Sequence, residues 1–457
     1  MAEMIRRREV SATEAVQEHV HRISVLQPAL NAFVHLDAEG ALKRARDLDE
    51  QASRGRVSGP LHGIPVSVKS NVDISGWPCP AGSLLRRSEV PASTAPMVQR
   101  LIDAGAVPIG NTNTPEFLMA YETDNRLTGK TNNPWNANYS AGGSSGGEGA
   151  AIAAGLTAGG IGSDGGGSIR VPAHFCGICG LKPTPGRIPG TGHFPPGNSS
   201  FGWLGVCGPM ARTAADLRLL FETMAGPDPS DALSVNPQAA SPSRSTLKGM
   251  RVGLVDAPQF SKATQETEAA VKKAAQLLSD QGFIVEIFRL QTAERLVDLW
   301  WFFFGEVIGE LLEKLVSGKE SQLSPIFSEY LDAARRLAPI TMEEFVVNCA
   351  ARDLERGRVL KAMEHVPVLL APVCIAPAFR HGEGSWRTDQ GYRKTMQHSQ
   401  WLNLTGMPAV TIPMGNSRDG LPIGVQLIGR PFEDELILEV AQLLEEARGP
   451  WAAPPLT

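Results

Sequence analysis

The sequence predicts an α/β fold with a mixed or mostly parallel central β-sheet. The chain has 457 residues, of which 42% are hydrophobic and 20% are charged, so it can bury a large core. Helical patterns alternate with short, β-prone apolar segments along most of its length, and this alternation is typical of parallel or mixed sheets. A glycine-rich stretch at 140–168 interrupts the alternation and indicates a place where the backbone approaches another group closely.

The N-terminal half of the chain contains regular elements in close succession. A capping box formed by Ser11 and Glu14 predicts a helix that begins there and runs to about Val25. The elements that follow are predicted as a strand at 32–36, a helix at 38–53, a strand at 63–69, a helix at 93–104, a strand at 107–110 and a small-residue helix at 148–156.

The C-terminal half follows a stretch at 226–248 that is rich in Pro, Ser and Ala, which predicts a long surface connection. Beyond it we expect a strand at 251–255, a helix at 265–281, a strand at 283–288, largely helical structure at 293–364, strands at 366–370, 409–413 and 424–428, and a final helix at 433–446.

Charge and apolar pattern argue against several functional classes. A net charge of −5, from 43 basic and 48 acidic residues, offers no attraction for a phosphate backbone, so we expect no nucleic-acid partner. No run of about 20 apolar residues occurs, so we expect no stable membrane insertion. The N-terminus has no signal-like apolar segment, which favours the cytoplasm.

Two further patterns argue against metal and nucleotide binding. The nine histidines lack the spacing of metal ligands, so no metal site is predicted. A match to the dinucleotide-binding fingerprint at 160–165 follows a predicted helix, although this fingerprint requires a preceding strand. We therefore expect no cofactor of either kind.

Three features remain that packing alone does not explain. Lys69 ends an apolar strand, where burial would favour a neutral amine able to act as a base; a lysine exposed at a strand end is the alternative. Ser144 and Ser145 lie between two pairs of glycines, which fits either a flexible linker or an unusual backbone geometry at a functional site. Three glycines precede Ser168, and such runs allow backbone N–H groups to converge on one anion.

Several motifs spread along the chain carry a family resemblance. They are Gly63–Lys69, Gly110–Glu116, Gly129–Trp135, Gly142–Gly149, Ser163–Ala173, Cys179–Thr184, Gly406–Pro413 and Gly420–Gly429. In these segments the sequence resembles the amidase signature family, and the similarity is weak only between about 226 and 395. The resemblance implies a large mixed, mostly parallel central sheet covered by helices on both faces. It also implies one domain, residues 1–457, with a core at 55–225 and 395–457 and a variable, largely helical substrate-side region at about 290–365.

The resemblance also implies a site, residue by residue. Ser168 would be the nucleophile, Ser144 on a cis peptide bond would relay a proton, and Lys69 would be the base. No metal or organic cofactor is implied. The oxyanion hole would be formed by the backbone N–H groups of Gly165, Gly166, Gly167 and Ser168, and supporting hydrogen bonds would come from Ser145, Asp164 and Arg170.

One position departs from the family pattern. Gly165 follows Asp164 where the family usually has a bulkier residue. This glycine predicts a looser loop without removing a backbone donor.

The substrate is less well defined by the sequence. We expect an apolar, aromatic-tolerant pocket lined by Leu118, Met119, Tyr121, Thr191 and Trp300. This predicts hydrolysis of small-molecule aryl or alkyl amides, with esters and carbamates as further candidates. A glutaminase subunit of a tRNA-dependent amidotransferase, which needs partner proteins and ATP, is the alternative. The sequence leaves a homodimer open, and it disfavours a non-catalytic interaction protein because all three triad residues are present.

Overall fold

The computed structural model of this chain describes residues 1–197, 202, 204–237, 243–388 and 391–456. Its strands are β1 (Phe33–Leu36), β2 (Pro65–Lys69), β3 (Val107–Thr112), β4 (Asn132–Asn133), β5 (Asn136–Ser140), β6 (Gly159–Asp164), β7 (Cys179–Lys182), β8 (Val206–Ala211), β9 (Arg251–Asp256), β10 (Ile284–Arg289), β11 (Val368–Pro372), β12 (Ala409–Asn416) and β13 (Pro422–Gly429).

Helices surround these strands. They are α1 (Ala2–Arg6), α2 (Ala12–Leu30), α3 (Ala38–Ser53), α4 (Pro96–Asp103), α5 (Gly146–Ala153), α6 (Arg170–Cys176), α7 (Ala214–Met224), α8 (Arg244–Leu247), α9 (Gln265–Asp280), α10 (Ala293–Trp301), α11 (Ile308–Val316), α12 (Pro325–Ala334), α13 (Met342–Ala362), α14 (Tyr392–Thr395), α15 (Gln397–Thr405) and α16 (Asp434–Arg448). A π-helical segment, Phe302–Val307, joins α10 to α11. In the described residues, no helix is both long and apolar enough to cross a bilayer.

A single eleven-stranded sheet forms the centre of the molecule, in the order β1-β3-β2-β6-β8-β7-β12-β13-β11-β9-β10. Side chains of α4, α7, α9 and α16 pack against one face, and those of α5, α6, α10 and α15 lie on the other. The predicted mixed α/β fold is therefore confirmed.

The pairing within this sheet corrects one detail of the prediction. Four neighbouring pairs are parallel and six are antiparallel, so the sheet is mixed but not mostly parallel. One cause is visible at β12 and β13, which are joined by residues 417–421. Five residues can close a hairpin but cannot make the crossover that parallel strands require.

The first predicted elements match the structure, except that α2 runs to Leu30 and not to about Val25. Ser11 caps α2, and the Ser11 and Glu14 side chains exchange the hydrogen bonds of a capping box. Helix α3 has the predicted bounds. Residues 238–242 of the predicted surface connection lie outside the described residues.

Strand β6 was missed from the sequence, and its glycines explain why. A side chain at Gly160 would place a Cβ only 1.8 Å from Glu148 Oε1 and 2.4 Å from the Ser67 carbonyl oxygen. Glycine is needed here because α5 lies directly on the sheet, and a glycine-rich segment lacks the apolar alternation by which strands are predicted. Strands β7 and β8 were not predicted either.

Strand β2 directs its side chains alternately to the two faces of the sheet. Val66 and Val68 join the core packed under α4 and α7. Ser67 donates a hydrogen bond to Glu148 of α5, and Lys69 contacts Ser144, so both lie on the opposite face. The period of two therefore fixes the side of the sheet on which the Lys69 amine is found.

Candidate active site

Three chain segments meet at one edge of the sheet. Lys69 ends β2 and Asp164 ends β6, and these two strands are parallel neighbours in which Val68 pairs with Ile161. The carboxyl ends of parallel neighbours lie at the same sheet edge. Ser168 follows β6 in the turn into α6, while Ser144 lies in the loop between β5 and α5.

Lys69 is fully buried and held by two hydroxyl groups. Its Nζ donates to Ser144 Oγ at 2.7 Å and to Ser163 Oγ at 3.0 Å. Burial lowers the pKa of the Lys69 amine to about 7, although the nearby carboxyl groups of Asp164 and Glu148 oppose this shift. A large fraction of the amine is therefore neutral near neutral pH and able to accept a proton. Ser163 was not singled out from the sequence.

The loop carrying Ser144 is fixed by its backbone. The Gly143–Ser144 peptide bond is cis, in agreement with the implication of the family resemblance. The Ser144 carbonyl oxygen accepts a hydrogen bond from Thr114 Oγ1 at 2.8 Å. A side chain at Gly143 would place a Cβ 2.6 Å from the Ala120 carbonyl oxygen, so this loop is packed too closely for the flexible-linker interpretation.

Ser145 links the Ser144 loop to the two neighbouring segments. Its backbone N–H donates to the Ser168 carbonyl oxygen at 3.1 Å. Its hydroxyl donates to the Ser163 carbonyl oxygen at 3.2 Å and lies 3.3 Å from the Ser163 backbone nitrogen. Ser145 thereby holds Ser144 and Ser168 in adjacent positions.

Ser168 is half-buried, unlike the fully buried Ser144 and Lys69. Within the described part of the chain, the Ser168 hydroxyl has no hydrogen-bond partner. The Ser144 hydroxyl, which accepts a hydrogen bond from Lys69, lies on the adjacent segment that Ser145 holds next to Ser168. The arrangement leaves this hydroxyl available to an incoming group.

The backbone N–H groups around Ser168 divide into two sets. The Gly167 N–H donates to Asp164 Oδ1 at 2.7 Å, so it is not available to a bound anion. The N–H groups of Gly165, Gly166 and Ser168 have no acceptor among the described residues. Of the four N–H groups expected to form an oxyanion hole, three are therefore without an acceptor in the described residues, and the fourth, that of Gly167, binds the Asp164 carboxylate.

Asp164 organises the turn that carries Ser168. Besides the Gly167 N–H, its carboxylate accepts hydrogen bonds from the Ile169 N–H at 3.0 Å and from Arg170 Nε at 3.0 Å and Nη2 at 2.9 Å. Burial alone would raise the pKa of this carboxyl, but the charge and hydrogen bonds of Arg170 outweigh burial and hold the pKa well below its usual range. Asp164 is therefore ionised at neutral pH.

Arg170 extends this contact to distant parts of the chain. Its Nη2 donates to Asn403 Oδ1 at 2.6 Å, and its Nη1 donates to Gln426 Oε1 at 3.1 Å. The sequence did not single out Asn403 or Gln426. The only available signal was the family-like segment 420–429, which contains Gln426.

Glu148 is a second buried acid beside the site. It accepts hydrogen bonds from Ser67 and, at 2.6 Å, from Thr112. Burial raises the pKa of Glu148 to about 7, although these hydrogen bonds and the charge of Lys69 favour its ionised form. It is thus one of the acidic groups that oppose the neutralisation of Lys69.

The structure places only some of the predicted pocket residues against the glycine turn. Met119, Tyr121 and Trp300 belong to one aromatic-rich core cluster, and Tyr121 and Trp300 touch the glycine turn directly. Leu118 is buried in the loop after β3, and Thr191 is half-buried in the loop that pairs His193 with Val72. In the part of the chain that the structure describes, neither of these two residues forms a hydrogen bond with the serine-bearing segments.

A family model and many known proteins match nearly the whole of this chain. The family model described as Amidase matches residues 14–438. A glutamyl-tRNA(Gln) amidotransferase subunit from Synechococcus sp. (strain CC9605) is 32% identical over 98% of this chain and 95% of the relative.

Solved structures show the same similarity. A chain from a vestigial protein complex, described as revealing the evolutionary origins of an s-triazine catabolic enzyme, is 32% identical to this chain. Its TM-score is 0.89, and the match covers 100% of this chain and 98% of that one. A 6-aminohexanoate cyclic dimer hydrolase complexed with substrate is 28% identical, with a TM-score of 0.87; the match covers 100% of this chain and 98% of the hydrolase chain. A bacterial aryl acylamidase is 25% identical, with a TM-score of 0.85; the match covers 98% of this chain and 95% of the acylamidase chain.

Replacing the Asp164 carboxylate tests its structural role. Asp164→Asn keeps the side-chain size but leaves the buried Arg170 guanidinium without a counter-charge. We expect the free energy of unfolding to fall by about 3–5 kcal/mol, measured by urea denaturation followed by circular dichroism. The control is Glu310→Gln, which removes an exposed ion pair with Lys314 and should cost less than about 1 kcal/mol. Equal losses in the two variants would contradict this role for Asp164.

Proposed function

This chain belongs to the amidase family, whose characteristic motifs define the amidase signature, and we propose that it hydrolyses small-molecule amides with Ser168 as nucleophile. The observation that carries the proposal is the buried contact between Lys69 Nζ and Ser144 Oγ at 2.7 Å, next to a half-buried serine at a turn with unpaired backbone donors. A base, a relay and a nucleophile are the groups that serine-dependent amide cleavage requires.

The first chemical step is acylation. Neutral Lys69 accepts a proton from Ser144 while Ser144 accepts the proton of Ser168, so the Ser168 oxygen attacks the amide carbonyl as its proton is removed. The substrate oxygen becomes an oxyanion that the free N–H groups of the glycine turn stabilise. Each such donor contributes on the order of 3 kcal/mol in comparable sites.

The leaving group then needs a proton, because an amide nitrogen is a poor leaving group as an anion. Protonated Lys69 returns the proton through Ser144 to that nitrogen, the carbon–nitrogen bond breaks and the amine departs. Water attacks the Ser168 ester by the same relay and releases the acid. Esters and carbamates can follow the same tetrahedral path, so the triad by itself does not select among them.

The surroundings of the glycine turn support an apolar acyl group. Trp300 and Phe304 stack with ring centroids 4.5 Å apart, and Phe304 would meet a Cβ at Gly165 at 3.3 Å. Nearby acidic side chains already have partners: Glu122 binds His381 and Glu329 binds the backbone of the 385–387 segment. Aryl or alkyl amides are therefore the proposed substrates. One solved relative is named as an aryl acylamidase, and another as a 6-aminohexanoate cyclic dimer hydrolase.

A glutaminase subunit of a tRNA-dependent amidotransferase is the second candidate. Its support is specific, since a relative named as a component of glutamyl-tRNA(Gln) amidotransferase is 32% identical to this chain over 98% of its length. Such a protein would bind an amino acid through paired charges and would depend on partner proteins. The two candidates therefore differ in substrate charge and in activity of the isolated chain.

Labelling and activity of triad variants test the mechanism. We expect a fluorophosphonate to label the wild type at Ser168 alone, and Ser168→Ala to lose both labelling and hydrolysis. Lys69→Met should lower kcat by about 10²–10⁴-fold, because Ser168 then lacks its base. Peptide mapping identifies the labelled serine, and Ser75→Ala, a change at an exposed serine, is the control. Labelling that persists in Ser168→Ala would overturn the assignment.

The pH profile tests the protonation state of Lys69. Since the reaction needs the neutral amine and the pKa of Lys69 lies at about 7, kcat/KM should rise with pH and level off above about 7. Glu148→Gln removes a nearby negative charge that raises the pKa of Lys69, so the rising limb should move to lower pH. A profile that is flat between about pH 5.5 and 9 would contradict this function of Lys69.

A substrate panel separates the two candidate functions. We expect the isolated chain to hydrolyse aryl and alkyl anilides with kcat/KM at least about tenfold above that for glutamine, because the acyl group meets an aromatic wall. Release of p-nitroaniline and of ammonia gives the two rates. Activity confined to glutamine, or appearing only when amidotransferase partner proteins are added, would favour the glutaminase instead.

A further inference from the structure

The carbonyl groups of the glycine turn are all held by donors. From Asp164 to Gly167, four successive carbonyl oxygens each accept a hydrogen bond. Their donors are Asn403 Nδ2 to Asp164 at 2.9 Å, Trp300 Nε1 to Gly165 at 2.9 Å, the Tyr121 hydroxyl to Gly166 at 2.8 Å and the Val171 N–H to Gly167 at 2.6 Å.

Holding a carbonyl also orients the N–H of the next residue. In a trans peptide unit the C=O and N–H bonds point in opposite directions in one plane. A donor on the Gly165 carbonyl therefore turns the Gly166 N–H to the other side, and a donor on the Gly166 carbonyl does the same for the Gly167 N–H. The side chains that bind the carbonyls thus determine where the donors of the turn point.

The two central peptide units are not held equally. The Gly166–Gly167 unit is fixed at both ends, by the Tyr121 hydroxyl on its carbonyl and by Asp164 Oδ1 on its N–H. The Gly165–Gly166 unit is fixed only by Trp300, because the Gly166 N–H has no acceptor among the described residues. Glycine gives this unit little rotational resistance of its own.

Trp300 is itself rigidly placed. It is fully buried, and its ring stacks on Phe304 at an angle of 15° between the planes. A Cβ at Gly166 would lie 2.5 Å from Trp300 Cζ2, so the indole is packed directly on the turn. A hydrogen bond from such a fixed donor restricts the peptide unit far more than one from a mobile side chain would.

We propose that Trp300 is a positioning residue for the oxyanion hole, whose indole N–H binds the Gly165 carbonyl and thereby directs the Gly166 N–H toward the reacting carbonyl oxygen. The inference rests on the proposed function, since it assumes that Ser168 forms the tetrahedral intermediate. It assigns to Trp300 an effect on transition-state stabilisation, beyond the pocket-lining role predicted from the sequence.

Three aromatic variants test this assignment. Trp300→Phe removes the N–H donor and keeps a ring, and we expect kcat to fall at least about tenfold with KM changed less than about twofold, since losing an oxyanion donor outright lowers kcat by about 10²–10³. Tyr121→Phe should lower kcat less, because its peptide unit keeps the Asp164 contact. Trp301→Phe, a matched change at the adjacent buried tryptophan, should leave kcat near that of the wild type.

Affinity for a transition-state analogue separates positioning from general packing. A trifluoromethyl ketone that forms a tetrahedral adduct with Ser168 should bind Trp300→Phe more weakly by the same factor as kcat/KM falls. The product amine, which carries no oxygen for these donors to bind, should bind wild type and variant alike. A parallel loss of affinity for both ligands, or no loss of kcat relative to Trp301→Phe, would overturn the proposal.

Further controls keep the outcomes distinct. If Trp300→Phe does not fold, replacing the Trp300 indole N–H by sulfur, as 3-benzothienylalanine, removes the donor at nearly constant shape, and the same fall in kcat is expected. An unchanged kcat in that variant would overturn the proposal. Failure of the proposed function is recognised separately, because wild type would then show no fluorophosphonate label at Ser168.

Discussion

The buried ion pair between Asp164 and Arg170 is the contact on which the candidate site depends. Asp164 ends β6, and its carboxylate accepts hydrogen bonds from N–H groups of the following turn. The guanidinium of Arg170 donates to the same carboxylate. Arg170 then reaches Asn403 and Gln426, which lie more than two hundred residues later in the chain. A buried pair of this kind is weak evidence for stability, because desolvation offsets much of the attraction. Its effect here is to give a turn made mostly of glycine one conformation.

A second constraint follows from the position of Lys69. Strand β2 carries apolar side chains to one face and Lys69 to the other, where the amine is fully buried. Burial lowers the pKa of Lys69 to about 7 and raises that of Glu148 to about 7, because each group loses hydration that its charge requires. The same packing that stabilises the sheet therefore leaves much of the Lys69 amine neutral near pH 7, which is the form that the proposed proton transfer requires.

The sequence predicted the mixed α/β fold and most of the regular elements, since α2 and α3 carry local signals in capping and periodicity. It could not predict β6, because that strand is rich in glycine and depends on the close approach of α5. The family resemblance predicted that Lys69, Ser144 and Ser168 act together as a triad. Ser163 and Asn403 were missed, because their contacts form only in the folded chain and no local sequence pattern predicts them. The hydrogen bond from the Gly167 N–H to Asp164 could not be predicted for the same reason.

Gly165 shows how the helical region at about 290–365 is packed against the turn. Its missing side chain predicted a looser loop, yet the structure shows Phe304 3.3 Å from the place of a Cβ there and Trp300 bound to its carbonyl. Both aromatic residues come from the largely helical region at about 290–365. A larger side chain at Gly165 would displace Phe304 and with it the ring on which Trp300 stacks. The small residue in the turn and the two stacked aromatic residues therefore pack as one unit, so a change at Phe304 or Trp300 would also alter the surroundings of the Gly165 carbonyl.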